Sequence, residues 1–275
     1  MWLSRGASGC GLGPSRGQDR PCSRAARPRR PVGSHFPTIM LFDRREIRPD
    51  RPTFRRPSPP SAEQRQNNTV LFSELVDRAR GLAGSGERRL LGIGGAPGSG
   101  KSTLARRLVG ALGGLAVLVE MDGFHLAQKE LERLGIADRK GAPDTFDISG
   151  YVDLLGRLKA CGPDVVYAPE FRREIEEPVA CAVPVPPDVP LVVTEGNYLL
   201  LQYDKWQGVR TVLDEAWFLL VDEDVRVARL IDRHVRYGRS VDEARERVLN
   251  GPDHVNALLV NASKSTADLL ITDLR

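Results

Sequence analysis

The stretch GGAPGSGKST, residues 94–103, does more than any other to limit what this chain can fold into. It follows the short apolar run RRLLGIG and precedes STLARRLVGALGG, whose apolar spacing reads as a helix stopped by Gly113 and Gly114. Strand, glycine-rich loop and helix therefore come in direct succession. Gly95 to Ser102 fits G-x-x-x-x-G-K-[ST], and the flanking elements are those the motif requires. Glycines let backbone N–H groups converge on phosphate oxygens with no Cβ in the way, and a helix beginning at Lys101 adds its positive dipole end. The expected cradle is Gly95, Ala96, Pro97, Gly98, Ser99, Gly100, Lys101, Ser102 and Thr103. Lys101 is placed to span the β- and γ-phosphates of a nucleoside triphosphate, and the Ser102 hydroxyl to ligate Mg²⁺.

The rest of the chain supplies the sheet that such a loop needs. GLAVLVEMD, PLVVTEG, EAWFLLVD and ADLLITD read as four more buried strands. Helical patterns separate them, among them DVRVARLIDRHVRYG and SVDEARERVLNG. Apolar strands without alternation, interleaved with helices, predict a parallel sheet covered on both faces. The expected fold is α/β of the P-loop NTPase type, a five-stranded parallel sheet flanked by helices. A first helix in TVLFSELVDRARGLAG is expected to turn Val70, Leu71, Leu75, Ala79 and Leu82 to one face. Residues 138–187 break the alternation with DRKGAPDTFD, the helix SGYVDLLGRLKACG and a Pro-rich run. An insertion of this length beside the carboxyl edge of a sheet is expected to line the site.

Charge divides the chain. Residues 1–66 hold fourteen arginines, no lysine and five acids, whereas residues 67–275 carry a net charge of −5. The first part is rich in Arg, Pro, Gly and Ser and poor in clustered apolar residues, so it is expected to be a disordered tail. A nucleic-acid-binding arm, a transit peptide, or a true translation start near Met40 or Val70 would each account for it. Residues 67–275 are expected to form one domain. Its acidic balance argues against nucleic acid as a partner. No run reaches the ~18 apolar residues of a membrane span, and Cys10, Cys22, Cys161 and Cys181 lie in neither metal-ligand nor redox spacing. A reduced, cytoplasmic protein with no membrane partner is expected.

A strand that ends on an acid gains nothing unless the acid has a task. Two strands here do so, VLVEMDG at Asp122, with Glu120 two residues earlier, and LVVTEG at Glu195. A triphosphate site needs such a carboxylate to hold magnesium or its water. On an expected helix, Arg229, Arg233 and Arg236 recur at i, i+4 and i+7, and Arg239 follows Gly238. Arginines on one face can clamp phosphate oxygens in pairs.

Taken together, GAPGSGKST, MDGFH, RKGAPDTFD and VVTEGNYLLL resemble the phosphoribulokinase, uridine kinase and type I pantothenate kinase group, over residues 70–275. The resemblance implies that Asp122 is the catalytic base, that Glu195 assists magnesium, and that RLIDRHVRYGRS is a mobile lid bringing Arg233 and Arg239 to the phosphates. It places His125, Arg139, Lys140, Tyr167 and Arg173 on the acceptor side. The type I pantothenate kinases carry Tyr-Ser-His after their Ala-Pro, where this chain has Glu170–Phe171–Arg172–Arg173 and ends soon after its last strand. The expected activity is transfer of phosphate from Mg-ATP to a hydroxyl of a small metabolite: a nucleoside, a sugar or sugar phosphate, or a pantothenate-like alcohol. The competing class is a nucleotide-driven ATPase or switch with no small acceptor. A homodimer is an allowed assembly.

Overall fold

The computed structural model describes residues 69–274. The expected tail, residues 1–66, lies outside them. β1 (Thr69–Val70) leads to α1 (Phe72–Ala83), β2 (Arg89–Gly94) and α2 (Lys101–Leu112). β3 (Ala116–Glu120) is followed by α3 (Gln128–Leu134), α4 (Ile148–Ala160), β4 (Val166–Arg172) and β5 (Glu177–Val185). Then come β6 (Leu191–Gly196), α5 (Gln207–Val212) and β7 (Glu215–Leu219). Three helices follow, α6 (Glu223–Arg236), α7 (Val241–Leu249) and α8 (Pro252–Ala262), before β8 (Leu269–Ile271) and β9 (Asp273–Leu274).

The main sheet has the order β3-β6-β2-β7-β8, and every neighbouring pair is parallel. Its strands are apolar on both sides because both sides are covered. Leu91, Ile93, Leu191, Val193, Trp217 and Leu219 pack with Leu75 and Ala79 of α1 and Leu104 and Leu108 of α2. Their neighbours Leu90, Val192, Ala216 and Phe218 pack on the other face with Leu154, Leu155 and Leu158 of α4 and Val260 of α8. Each such side chain contributes about 1.5–3 kcal/mol through burial. This places the carboxyl ends of β2, β3 and β6 side by side.

Two parts differ from the sequence reading. The first helix begins only at Phe72: Val70 pairs with Leu274 in a strand, and Leu71 is an exposed cap. Its inward face is Leu75, Val76, Ala79 and Ala83. The Pro-rich part of the insertion is an antiparallel hairpin, β4 with β5. Prolines are tolerated there because a two-stranded ribbon leaves each strand one unpaired edge. Pro169 falls where the register shifts between Ala168 and Glu170.

Candidate active site

β2 ends at Gly94, and the loop to Lys101 turns back over its end. Gly98 has φ +86°, and a Cβ there would stand 2.7 Å from the Arg226 carbonyl oxygen. Any other residue at this position would be strained and would collide with α6. Two arginines of α6 hold the loop from outside. The buried Arg226 donates from Nη1 to the Pro97 carbonyl at 3.0 Å, while Glu223 orients its guanidinium. Arg229 reaches the Ser99 carbonyl at 3.5 Å. A separate cleft of about 570 Å³ adjoins the loop at Ser99, Gly100 and Thr103 and is walled by Arg107, Val225 and Thr272.

At the start of α2, the Ser102 hydroxyl donates to Glu195 Oε1 at 2.9 Å, and Lys101 Nζ lies 3.9 Å from Glu195 Oε2. Glu195 is 3% exposed, and among the described residues neither its Oε2 nor the buried Oδ1 of nearby Asn197 has a hydrogen-bond partner. Burial pushes the Glu195 carboxyl up to about 7; Lys101 opposes the shift, and Asp122 and Glu120 add to it. Two orphaned acceptor oxygens beside a hydroxyl and an under-neutralised carboxylate are the donor set of a hard divalent cation. The residues present therefore fit magnesium at Ser102 and Glu195, next to a phosphate-binding loop.

β3 ends one residue earlier than its apolar pattern, and Met121–Phe124 form a single tight turn. The turn aims Asp122 into the cavity, whereas Glu120 stays behind and pairs with Arg106 at 2.6 Å. Gly123 is required for a steric reason: a Cβ would sit 2.5 Å from the Pro169 carbonyl oxygen, so the hairpin could not close over the turn. Arg173, in the hairpin turn, donates to Asp122 Oδ2 at 3.2 Å. Burial raises the Asp122 pKa, but His125 when protonated, Lys101, Arg173 and Arg233 outweigh it, and the net shift is downward. The Arg173 guanidinium in direct contact favours the carboxylate form of Asp122.

His125 packs between the rings of Phe146 and Phe171, with centroids at 4.1 and 4.7 Å. Its Nδ1 lies 2.7 Å from the Asp122 carbonyl oxygen. A carbonyl only accepts, so Nδ1 carries the proton. Burial holds the ring's pKa below its usual value, despite the pull of Asp122. The neutral ring leaves Nε2 as a hydrogen-bond acceptor.

These groups share one cavity of about 400 Å³, which brings together Pro97, Lys101, Ser102, Asp122, His125, Lys140, Arg173, Arg233 and Arg239. Two acceptor-side expectations fall elsewhere. Arg139 pairs with Asp144 on the surface at 2.9 Å, and Tyr167 is 53% exposed on the hairpin. The shared arginine face of α6 also divides, because Arg236 turns outward to Asp232 at 2.8 Å. Several further residues line the wall: Asn197 and His234, which fall within VVTEGNYLLL and RLIDRHVRYGRS, Phe171 of the hairpin, and Arg247, Asp253 and Asn256, which carry no local motif. Asp253 joins three helices, accepting from His234 at 2.6 Å and lying 3.4 Å from Arg247. Only its position at the start of α8, after Gly251–Pro252, was available as a signal.

Residues 90–275 match the model of the Phosphoribulokinase / Uridine kinase family. A Schizosaccharomyces pombe protein named "Putative uridine kinase C227.14" is 33% identical over 74% of this chain and 91% of its own length. The structure of a "putative fructose transport system kinase" from Silicibacter sp. TM1040 superposes with a TM-score of 0.67 at 36% identity, covering 73% of this chain and 98% of that one. YFH7 of Saccharomyces cerevisiae shares the fold, with a TM-score of 0.64 at 18% identity over 75% of this chain and 99% of its own. With strand–loop–helix, paired strand-end carboxylates and these likenesses in agreement, the chain belongs to the phosphoribulokinase / uridine kinase family.

Proposed function

We propose that the protein transfers the γ-phosphoryl group of ATP to a hydroxyl of a small metabolite. One observation carries this reading: Lys101 and Ser102, both in contact with Glu195, line the same cavity as the Asp122 carboxylate. A hydrolytic switch needs a positioned water, not a carboxylate facing a pocket walled by an inserted hairpin. The triphosphate lies on the loop, and the nucleoside end occupies the cleft beside Thr103.

Phosphoryl transfer asks the protein mainly for alignment and charge neutralisation. Magnesium at Ser102 and Glu195 supplies positive charge to the phosphate oxygens when bound. Lys101 follows the transferring group, and Arg233 and Arg239 face it from the C-terminal part of the lid. Asp122 accepts a hydrogen bond from the acceptor hydroxyl and takes its proton as the new O–P bond forms and ADP leaves. Burial lowers the Arg233 pKa most, so its charge gains from an anionic partner.

The test is ADP release by the purified chain with MgATP, with and without panels of sugars, sugar phosphates, nucleosides and hydroxy acids. Acceptor-dependent release is expected. Asp122→Asn should lower kcat by roughly 10²–10⁴-fold, the usual share of a general base, with ATP affinity little changed. Release that ignores every acceptor, or wild-type turnover in this variant, would overturn the reading.

A further inference from the structure

Two cations in the cavity are not accounted for by ATP. Lys140 is partly buried, and among the described residues Nζ donates only to the Glu176 carbonyl oxygen at 2.6 Å and Gln128 Oε1 at 3.4 Å. Among the described residues no carboxylate lies within the 4.0 Å of an ion pair with it. Among the described residues Arg173 makes a single side-chain hydrogen bond, to Asp122, which engages one of its five donors. Both stand at the Phe171 ring, Lys140 Nζ at 5.6 Å and Arg173 Cζ at 5.8 Å from its centroid. The neutral His125 ring closes a third side and adds no charge.

The place is built rather than accidental. Glu176, whose carbonyl holds Lys140, has φ +53°, a left-handed conformation that a non-glycine residue adopts at a cost. The next residue, Glu177, fixes the hairpin end by accepting the backbone N–H of Gln128 at 3.0 and 3.2 Å. Lys101, Arg233 and Arg239 serve the triphosphate. A neutral acceptor would leave the partly exposed Lys140 ammonium facing only an aromatic ring and neutral oxygens in the cavity.

We propose that Lys140 and Arg173, gathered at the Phe171 ring, bind an anionic group of the acceptor, a phosphate or a carboxylate, next to the hydroxyl that Asp122 receives. The inference rests on the kinase reading above and names its substrate class. A planar guanidinium that holds Asp122 through one nitrogen presents the others in the same plane. The oxyanion and the reacting hydroxyl are therefore a few bonds apart, as in a small hydroxy acid or a sugar phosphate.

Matched acceptor pairs test this by calorimetric titration of the full chain in the presence of a non-hydrolysable ATP analogue and Mg²⁺. Suitable pairs are fructose with fructose 6-phosphate, glucose with gluconate, and uridine with its 5′-monophosphate. In at least one pair the anionic member should bind more than about tenfold tighter, as a charge-assisted bidentate contact implies. Lys140→Met and Arg173→Met should each remove that preference, and Arg173→Lys should keep part of it. The sugar-phosphate and hydroxy-acid arms tell phosphate from carboxylate. Equal or tighter binding of every neutral member, no binding in any pair, or a preference that survives both methionine variants would overturn the proposal. Anion-selective binding without ADP release would leave the subsite standing and overturn the kinase reading instead.

Discussion

Asp122 works among opposing influences, and the cations around it set how acidic it is. Burial alone would raise its pKa, and Arg173 is among the groups that bring it down. Replacing Arg173 by Met should therefore raise the Asp122 pKa. The acid limb of kcat/KM, measured against pH, should move to higher pH. A limb that stays put would assign that ionisation to another group. Glu195 lies at the opposite extreme, raised from 4.5 to about 7 chiefly by burial. The folded state therefore holds a proton that the unfolded chain releases, and stability falls as pH rises from about 4.5 to about 7. Glu195→Gln should flatten that fall. Its melting temperature in Mg²⁺-free buffer should exceed wild type above pH 7 and converge with it near pH 5, while the Mg²⁺ needed for turnover rises. A melting curve unaltered at both pH values would mean that the carboxylate carries no buried charge.

At the scale of elements, α6 is a clamp on the phosphate-binding loop. Arg226 satisfies the Pro97 carbonyl from inside the protein, so Arg226→Ala leaves a buried acceptor unpaired. The expected loss is about 1–3 kcal/mol, with weaker ATP binding, read by thermal melting and nucleotide titration. Unchanged ATP affinity would show that the loop holds its shape without the clamp. The sequence revealed α6 and its arginine spacing but not which arginine goes where. Long flexible stems let Arg236 choose the exposed Asp232 one turn away over the cavity. The five core strands were legible because both faces are buried, which writes Leu90–Ile93 of β2 and Leu191–Val193 of β6 as unbroken apolar runs. The hairpin was not legible: its prolines mimic a loop, and its alternation is blurred by exposed residues such as Tyr167 and Ile175. The phosphate cradle is local in sequence and could be read directly. The far wall of the cavity is assembled from distant segments: Asn197 directly follows the Glu195–Gly196 strand end, but no short pattern marks Arg247, Asp253 or Asn256.

At the scale of the whole molecule, residues 69–274 contain both cores and the residues that line the cavity described above. Removing residues 1–66 is expected to leave the melting temperature and acceptor-dependent ADP release unchanged. A large fall in either would mean that the arginine-rich segment supports the domain. The pairing of Thr69–Val70 with Asp273–Leu274 has a topological consequence. Because these two strands run side by side, a short flexible linker would span their ends and close the domain into a ring. The ring could then be cut at Gly113–Gly114, an exposed turn where even an added Cβ would meet nothing within 4 Å. The architecture is thus cyclic in its adjacencies, and where the covalent chain is opened matters less to it than which strands lie next to one another.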